Sequence, residues 1–593
     1  MATQGKASSL MERTSAPGTA STEPELTPSA RTVLEKRYLW KDQQGAPVET
    51  PGGLFARVAR AIAAPEKPGV RGRWERRYLE MMLARRFIPN TPTLMNAGRS
   101  EGQLSACFVL PVEDSLDGIF DALKHAAKIH QSGGGTGFGF SRLRGAGSLV
   151  KSTHGVASGP VSFIRVFDIA TETIKQGGAR RGANMAVLRV DHPDIIEFID
   201  SKRDQRSIIN FNISVGITQA FMTALRAGAK FELRDPRSGV VVKELEAEWL
   251  FSRIVQAAWE CGDPGLVFLD RANFVNPTPK LGDMESTNPC GEQPLLPYES
   301  CNLGSLNLGA YLGSDLCIDW GTLRTDVHAA VRFLDTVIDV NRYPIPECAR
   351  ITRRNRKIGL GVMGYADLLL LVGIPYGSAK AIALGEQLMS FVDREAKSAS
   401  RALAQERGPF ANFRGSLWDR LGYPPLRNAT VSTVAPTGTI SILAGASSGI
   451  EPIFSAVYVR NVLSGSRLRD VHPSVARAFR LRDLNPEQVT EEEAAKVLGA
   501  AWTPAWKVPV EAHVRTQAAF QRHSDSAVSK TINLPEAATL ADVRKAYLHA
   551  YDWGCKGITV YRDRSRSAQV LEPAGPKEDL PGTAADGIFC PSC

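Results

Sequence analysis

Apolar residues recur at helical spacing through much of the chain. Val327, Val331, Leu334 and Ile338 stand at i, i+4, i+7 and i+11, a stripe that predicts an amphipathic helix. A second stripe, Leu250, Ile254 and Ala258, stops at Gly262 and Pro264, residues that end helices. Between such stripes stand short β-branched runs at 186–190, 212–217, 430–434 and 557–561, which predict strands. This alternation predicts an α/β architecture with a mostly parallel sheet. Upstream, Thr27 followed by Pro28 marks a helix start, with Leu34 and Tyr38 on one face. A further helix is predicted over 72–87, ending at Pro89-Asn90-Thr91-Pro92. Residues 1–30 are rich in Ser, Thr, Ala, Pro and Gly without periodicity, and predict a disordered leader. A helical N-terminal region at 31–88 then gives way to one long unit at 89–566, with no linker or repeat. The polar stretch 567–593 predicts a flexible tail ending in Cys590-Pro-Ser-Cys593.

Composition narrows the class. Of 593 residues, 43% are hydrophobic and 22% charged, as in a water-soluble globular protein. No apolar run approaches the ~18 residues of a membrane span, and no signal-peptide apolar region opens the chain. Membrane, fibrous and disulfide-scaffold classes are excluded, and a cytoplasmic protein is expected. The 71 basic and 62 acidic side chains leave a net charge of +9. That excess suits phosphate handling but is too dispersed for a nucleic-acid groove, so neither nucleic acid nor membrane is an expected partner. Nine cysteines in such a chain point to core packing, redox thiols or metal ligation rather than structural disulfides.

The densest chemistry lies in Asn288-Pro289-Cys290-Gly291-Glu292. Proline and glycine disfavour helix and favour an extended or turning loop. In an extended chain the side chains at 288, 290 and 292 alternate onto one side. Thiol, carboxylate and amide together describe a nucleophile or radical site with a base and an orienting group. Taken alone, the motif equally describes a buried cysteine in a turn. Cys301 follows 11 residues on, too far for a CxxC metal clip, and Cys107 sits in Gln103-Leu-Ser-Ala-Cys-Phe-Val. Pro436-Thr437-Gly438-Thr439-Ile440-Ser441 follows a predicted strand and offers backbone N–H groups and hydroxyls suited to phosphate. Gly133-Gly-Gly-Thr-Gly-Phe-Gly139 lacks the G-x-G-x-x-G spacing and follows a helical pattern, which argues against a dinucleotide site.

Together with Pro89–Gly98 and Arg356-Lys-Ile-Gly-Leu-Gly-Val-Met-Gly364, these segments resemble the catalytic subunit of ribonucleotide reductase across roughly residues 26–571. The resemblance implies a ten-stranded α/β barrel with its radical cysteine on a central finger loop. It implies that Cys290 forms the thiyl radical that abstracts the ribose 3′-hydrogen. Glu292 would deprotonate the 3′-hydroxyl and Asn288 would hold it. Cys107 and Cys301 would supply two electrons as the 2′-hydroxyl leaves as water, ending as a disulfide. Sulfur suits both tasks, since it offers a radical and a reversible two-electron couple. The substrate would be a ribonucleoside diphosphate, its diphosphate on Pro436–Ser441. Thr93, Ser105, Ala106 and Gly135 match substrate-contact positions.

The same resemblance implies regulation. Asp114, Ser115, Leu116, Arg144 and Lys151 match a specificity site where a deoxynucleoside triphosphate or ATP binds at a homodimer interface. Lys175, Arg180 and Arg181 lie in a glycine-bearing segment matching the loop between effector and substrate base; each arginine alone could equally be solvated. Too few residues precede Thr93 for an N-terminal ATP cone. The single tyrosine of Cys555-Lys-Gly-Ile-Thr-Val-Tyr561-Arg-Asp-Arg-Ser-Arg566 and the Cys290–Cys301 segment resemble the dimeric adenosylcobalamin-dependent class. There cobalt–carbon homolysis makes the thiyl radical. The alternatives are a large subunit fed by a separate metal-containing subunit, and a catalytically silent nucleotide-binding paralogue. Asp470-Val-His472-Pro-Ser-Val475 has valine where a cobalamin-ligating motif has glycine, so His472 reads as a surface or cap residue. The Cys590/Cys593 pair fits a swinging dithiol reduced by a thioredoxin-like protein, or else half of a zinc ribbon. Cys261, Cys317, Cys348 and Cys555 are expected in packing roles, and no protein-ligated metal is expected.

Overall fold

Hydroxyl caps and prolines set the entry of the N-terminal helices. In the computed structural model, which describes residues 23–100, 102–150, 155–174, 182–462, 466–565 and 571–573, helix α1 (Pro28–Arg37) opens with Thr27 accepting from the Ala30 amide. Thr50 caps α2 (Pro51–Ala63) in the same way. Helix α3 (Pro68–Leu83) starts at its own proline, four residues before the position expected from the sequence. It also ends earlier, because Arg85 turns into the left-handed region at φ 55°. Phe87–Pro89 is then free to form strand β1. A short helix, α4 (Thr91–Asn96), follows, capped by Asn90.

The remaining sheet strands are β2 (Cys107–Pro111), β3 (Gly135–Gly139), β4 (Asn184–Arg189), β5 (Phe211–Ile217), β6 (Gly265–Phe268), β7 (Ser300–Asn307), β8 (Ile358–Met363), β9 (Thr531–Leu534) and β10 (Gly557–Arg562). The ten form one mixed sheet. Strands β2, β3, β4, β5 and β6 are mutually parallel neighbours. Strand β7 pairs parallel with β8, and β9 with β10. Antiparallel seams at β7·β2 and β6·β10 join these sets, and β1 lies antiparallel on the other edge of β7. The mostly parallel α/β expectation holds. The expected strand at 430–434 is not a ladder strand. It makes single bridges, Leu360↔Ser432 toward β8 and Val434↔Val528 just before β9, and so lies between the two ends of an open ladder path.

Helices cover the sheet: α5 (Leu116–Gln131), α6 (Gly159–Ile174), α7 (Ala247–Cys261), α8 (Trp320–Val340), α9 (Ala379–Arg407), α10 (Gly438–Ala444), α11 (Val510–Gln521) and α12 (Leu540–Asp552). The α8 stripe read from the sequence is wholly buried, as is that of α7, which ends on left-handed Gly262. Two large apolar clusters result. One joins the N-terminal helices to α8, α9, β7 and β8; the other joins α5, α6 and α7 to β2–β6. A third, small cluster contains Cys107, Val109, Leu295, Cys301, Leu303 and Ala435. Within the expected tail, Leu571–Pro573 pairs with Tyr458–Arg460, and residues 574–593 lie outside the described residues. No helix among the described residues is long and apolar enough to cross a membrane.

Candidate active site

Residues 286–295 form a hairpin in which Ser286 pairs with Leu295 and Thr287 with Pro294. Its tip is a turn rather than extended chain. Gly291 adopts φ +79°, and its amide bonds the Asn288 carbonyl at 3.0 Å. Turn geometry, not strand alternation, therefore brings Asn288, Cys290 and Glu292 to one solvent-open cavity.

Strand β3 makes room for this finger. A side chain at Gly137 would put its Cβ 1.7 Å from the Thr287 carbonyl oxygen, so only glycine allows the two backbones to approach. Gly135 and Gly139, two residues either side, face Pro289 and Glu285 respectively. The glycine run that fails as a dinucleotide motif thus has a packing reason. Its period of two, beside a finger containing proline, was the available signal. From β5, Asn212 Nδ2 donates to the Pro289 carbonyl at 2.8 Å and pins the tip.

Cys107 and Cys290 both line the cavity, and Cys301 pairs with Cys107 without itself lining it. Cys107 on β2 and Cys301 on β7 are direct cross-strand partners. Such partners lie ~4.5–5.5 Å apart at Cα, inside the span a disulfide requires. Both are free thiols and buried; Cys290 is half-buried on the cavity wall. Asn288 Nδ2 donates to Cys107 Sγ at 3.2 Å, so the amide expected to hold a substrate hydroxyl also touches one of the two thiols expected to supply electrons. Burial pushes the Cys301 thiol well up, with Lys357 opposing and Glu299 and Glu292 reinforcing the shift. It is a protonated thiol at neutral pH. Glu292 is buried, and its carbonyl accepts from Ala527 N at 2.8 Å and Thr433 Oγ1 at 3.0 Å.

The predicted phosphate loop forms another wall. Pro436, Thr437, Gly438, Thr439 and Ile440 line the cavity at the start of α10, with Thr437 in the left-handed region at φ 56°. Ala106 and Gly135 line it as well. Thr93, Ser105 and Ser441 sit behind the wall. Thr93 bonds the Leu104 carbonyl, Ser105 accepts from Asn341 Nδ2 at 2.8 Å, and Ser441 meets Ser448. Asn90, Thr91, Ala183 and Ser305 also line the cavity, although none was singled out as a site residue within the segments read from the sequence. A buried chain supports that wall: His130 Nε2 meets Thr136 Oγ1 at 2.9 Å, which donates to Asn184 Oδ1 at 2.6 Å.

Away from the cavity, Asp114 and Arg144 form an ion pair at 2.9 Å beside Ser115, which caps α5. Leu116 is exposed there. Lys151, Lys175, Arg180, Arg181, Cys590 and Cys593 lie outside the described residues. His472 is a cap, as expected, for the helix Pro473–Arg480, but it is buried against Asp367 rather than on the surface. Cys261, Cys348 and Cys555 are buried as expected. Cys317 is not: it is exposed in a tight turn, its amide bonded to Asp315.

A family profile described as "Ribonucleotide reductase, barrel domain" matches residues 105–561, and "Ribonucleotide reductase, all-alpha domain" matches 24–102. A protein of Thermoplasma acidophilum named vitamin B12-dependent ribonucleoside-diphosphate reductase is 46% identical over 92% of this chain and 80% of its own length. One of the same name from Mycobacterium tuberculosis (strain CDC 1551) is 48% identical over 96% and 84%. A vitamin B12-dependent ribonucleotide reductase of Streptomyces clavuligerus is 31% identical over 84% and 61%.

Proposed function

The chain belongs to the ribonucleotide reductase family, and from that premise we propose that it reduces ribonucleoside diphosphates to 2′-deoxyribonucleoside diphosphates with adenosylcobalamin as radical source. The observation that carries this reading is the placement of Cys107 opposite Cys301, beside the finger that brings Cys290 to the same cavity. Cys290 is half-buried and lines the cavity, which fits a thiol that meets both a radical source and the substrate. Adenosylcobalamin, when bound, supplies a homolysable cobalt–carbon bond.

Cys290 takes the 3′-hydrogen of the ribose and later returns it. Glu292 accepts the 3′-hydroxyl proton. Cys107 and Cys301 together give up two electrons and two protons: the 2′-hydroxyl leaves as water, a hydrogen takes its place on carbon, and one S–S bond forms. Asn288 spans the substrate side and Cys107. The backbone of 437–440 at the start of α10 receives the diphosphate, with Ala106 and Gly135 against the nucleoside and Thr93, Ser105 and Ser441 supporting from behind.

The specificity site is read at Asp114, Ser115, Leu116 and Arg144, joined by Lys151, Lys175, Arg180 and Arg181, with a deoxynucleoside triphosphate or ATP as ligand. Exposed Leu116, Phe120, Val166 and Ile169 on α5 and α6 support a homodimer at that face. Cys590 and Cys593 are read as the arm that re-reduces Cys107–Cys301, itself reduced by a cytoplasmic thioredoxin-like protein.

Purified protein with adenosylcobalamin, dithiothreitol and an effector nucleotide is expected to convert CDP to dCDP without a second subunit. Turnover that requires an added iron- or manganese-containing subunit would overturn the cofactor reading.

A further inference from the structure

Beside the finger, residues 524–526 run outside the sheet ladder between α11 and β9, before the chain bridges to Val434 at Val528. Ser526 N donates to the Ser432 carbonyl, and the Ala527 carbonyl accepts from Val434 N and Thr433 Oγ1. The carbonyls of 524–526 must be satisfied some other way, and side chains do it. Lys556, buried at the start of β10, donates to the Ser524, Asp525 and Ser526 carbonyls at 3.3, 2.6 and 2.8 Å. Gln521 reaches the Ser526 carbonyl at 2.9 Å, and Gln517 the Val528 carbonyl at 3.3 Å. From α9, Lys397 pairs with Asp525 at 2.9 Å and with Asp393 at 2.6 Å. Ser432 ties Asp393 to the Asp525 amide.

The far end of this segment touches the proposed base. Ala527 N donates to the Glu292 carbonyl, and Ser526 Oγ meets the Gln293 side chain at 3.5 Å. Three carbonyls converging on one amine fix the peptide planes of 524–526, and those planes aim the next amide.

We propose that Lys556 is a positioning residue for Glu292: its ammonium holds the 524–526 carbonyls so that the Ala527 amide fixes the backbone that carries the base. The inference rests on the reading of Glu292 as the base. An ammonium has three N–H donors and here three acceptors; the neutral amine has two, so one of the three contacts is lost, at greatest cost if it is that to the Asp525 carbonyl, since Gln521 also donates to those of Ser524 and Ser526. Burial pushes the Lys556 amine down to about 8, with Asp525 and Asp393 opposing and Lys397 and Lys357 adding to the shift. The charge that organises the segment is therefore lost just above neutral pH. The charged groups facing Lys556 are those four, of which Asp393 is itself raised to about 6 by burial and by Asp525.

The test is steady-state CDP reduction by the full-length protein with adenosylcobalamin, read as kcat and KM across pH 6.5–9.5. Lys556→Met is expected to lower kcat at least tenfold with KM within twofold, and to speed amide exchange across 286–296 in the cofactor-free protein. Lys556→Arg is expected to restore most of kcat and to move the alkaline fall in kcat upward from near pH 8. Wild-type kcat in Lys556→Met overturns the proposal, and so does an alkaline limb that stays in place in Lys556→Arg. If Lys556→Met does not fold, the limb in Lys556→Arg decides alone. Glu292→Gln separates the two readings. If it remains active, Glu292 is not the base. If it is inactive while Lys556→Met is active, only the positioning role fails.

Discussion

Among the seven described cysteines, Cys317 is exposed, Cys290 half-buried and the other five buried. Reactivity follows thiolate character and access, so iodoacetamide at neutral pH is expected to label Cys317 at least about tenfold faster than Cys107 or Cys301, read by peptide mass spectrometry. Cys290→Ser is expected to abolish dCDP formation while CDP binding, measured by calorimetry, persists. Residue chemistry was legible where rare types cluster: Cys107, Asn288, Cys290, Glu292 and Cys301 were all identified from the sequence, and the structure gathers them. It was less legible where the contact is made by backbone. Asn90, Thr91 and Ala183 reach the cavity through chain path, while Thr93, Ser105 and Ser441, polar and motif-borne, face inward hydrogen-bond partners instead. Cys317 misled because its neighbourhood is apolar in sequence but turns outward at Asp315.

At the level of elements, the finger and β3 are fitted by the absence of side chains. Gly137→Ala is expected to destabilise the protein by about 3 kcal/mol or more, because backbone, not a flexible side chain, stands in the way. Urea unfolding measures this, and Ala substitution at Gly69, which meets nothing nearby and is not in the left-handed region, serves as the comparison. The N-terminal helices dock through a buried charge. Glu66, between α2 and α3, bonds Arg332 of α8 at 2.6 Å and Arg407 of α9 at 2.6 Å. Burial raises its carboxyl, but the two guanidinium groups more than reverse that and hold it below the usual range. Its contribution is thus present above the unfolded carboxyl pKa of ~4.3 and is lost as pH falls through the lower folded value. Glu66→Gln is expected to cost about 2 kcal/mol at pH 7, since it weakens charge-assisted bonds to Arg332 and Arg407 while Glu406 and Asp335 still pair with them, and progressively less on acidification. Thermal melts from pH 7 to 3 check this. Periodicity exposed α7 and α8 in the sequence because each buries a full stripe. The 430–434 stretch looked like a strand for the same reason, yet single bridges replace its ladder, something local pattern does not encode.

At the scale of the whole molecule, α5 and α6 leave Phe120, Val166 and Ile169 in solvent next to the Asp114–Arg144 pair. Ile169→Glu is expected to shift the species seen by light scattering from twice the chain mass to the 64.3 kDa of one chain, and to blunt the response to effector. An unshifted mass would remove this face as the dimer contact. The alternation of elements foretold the α/β class, whereas the antiparallel seams joining its halves came from the structure, because pairing direction is a long-range property.

One of those seams has a bearing on how the family can change. Cys107 and Cys301 meet only because β2 and β7 are aligned to the residue, and a slip of one position turns a side chain to the opposite face of a sheet. Chain length between these strands and their anchors is therefore under a chemical constraint as well as a packing one. A single-residue insertion within β7 ahead of Cys301 is expected to leave a folded protein in which Cys107 and Cys301 no longer face each other.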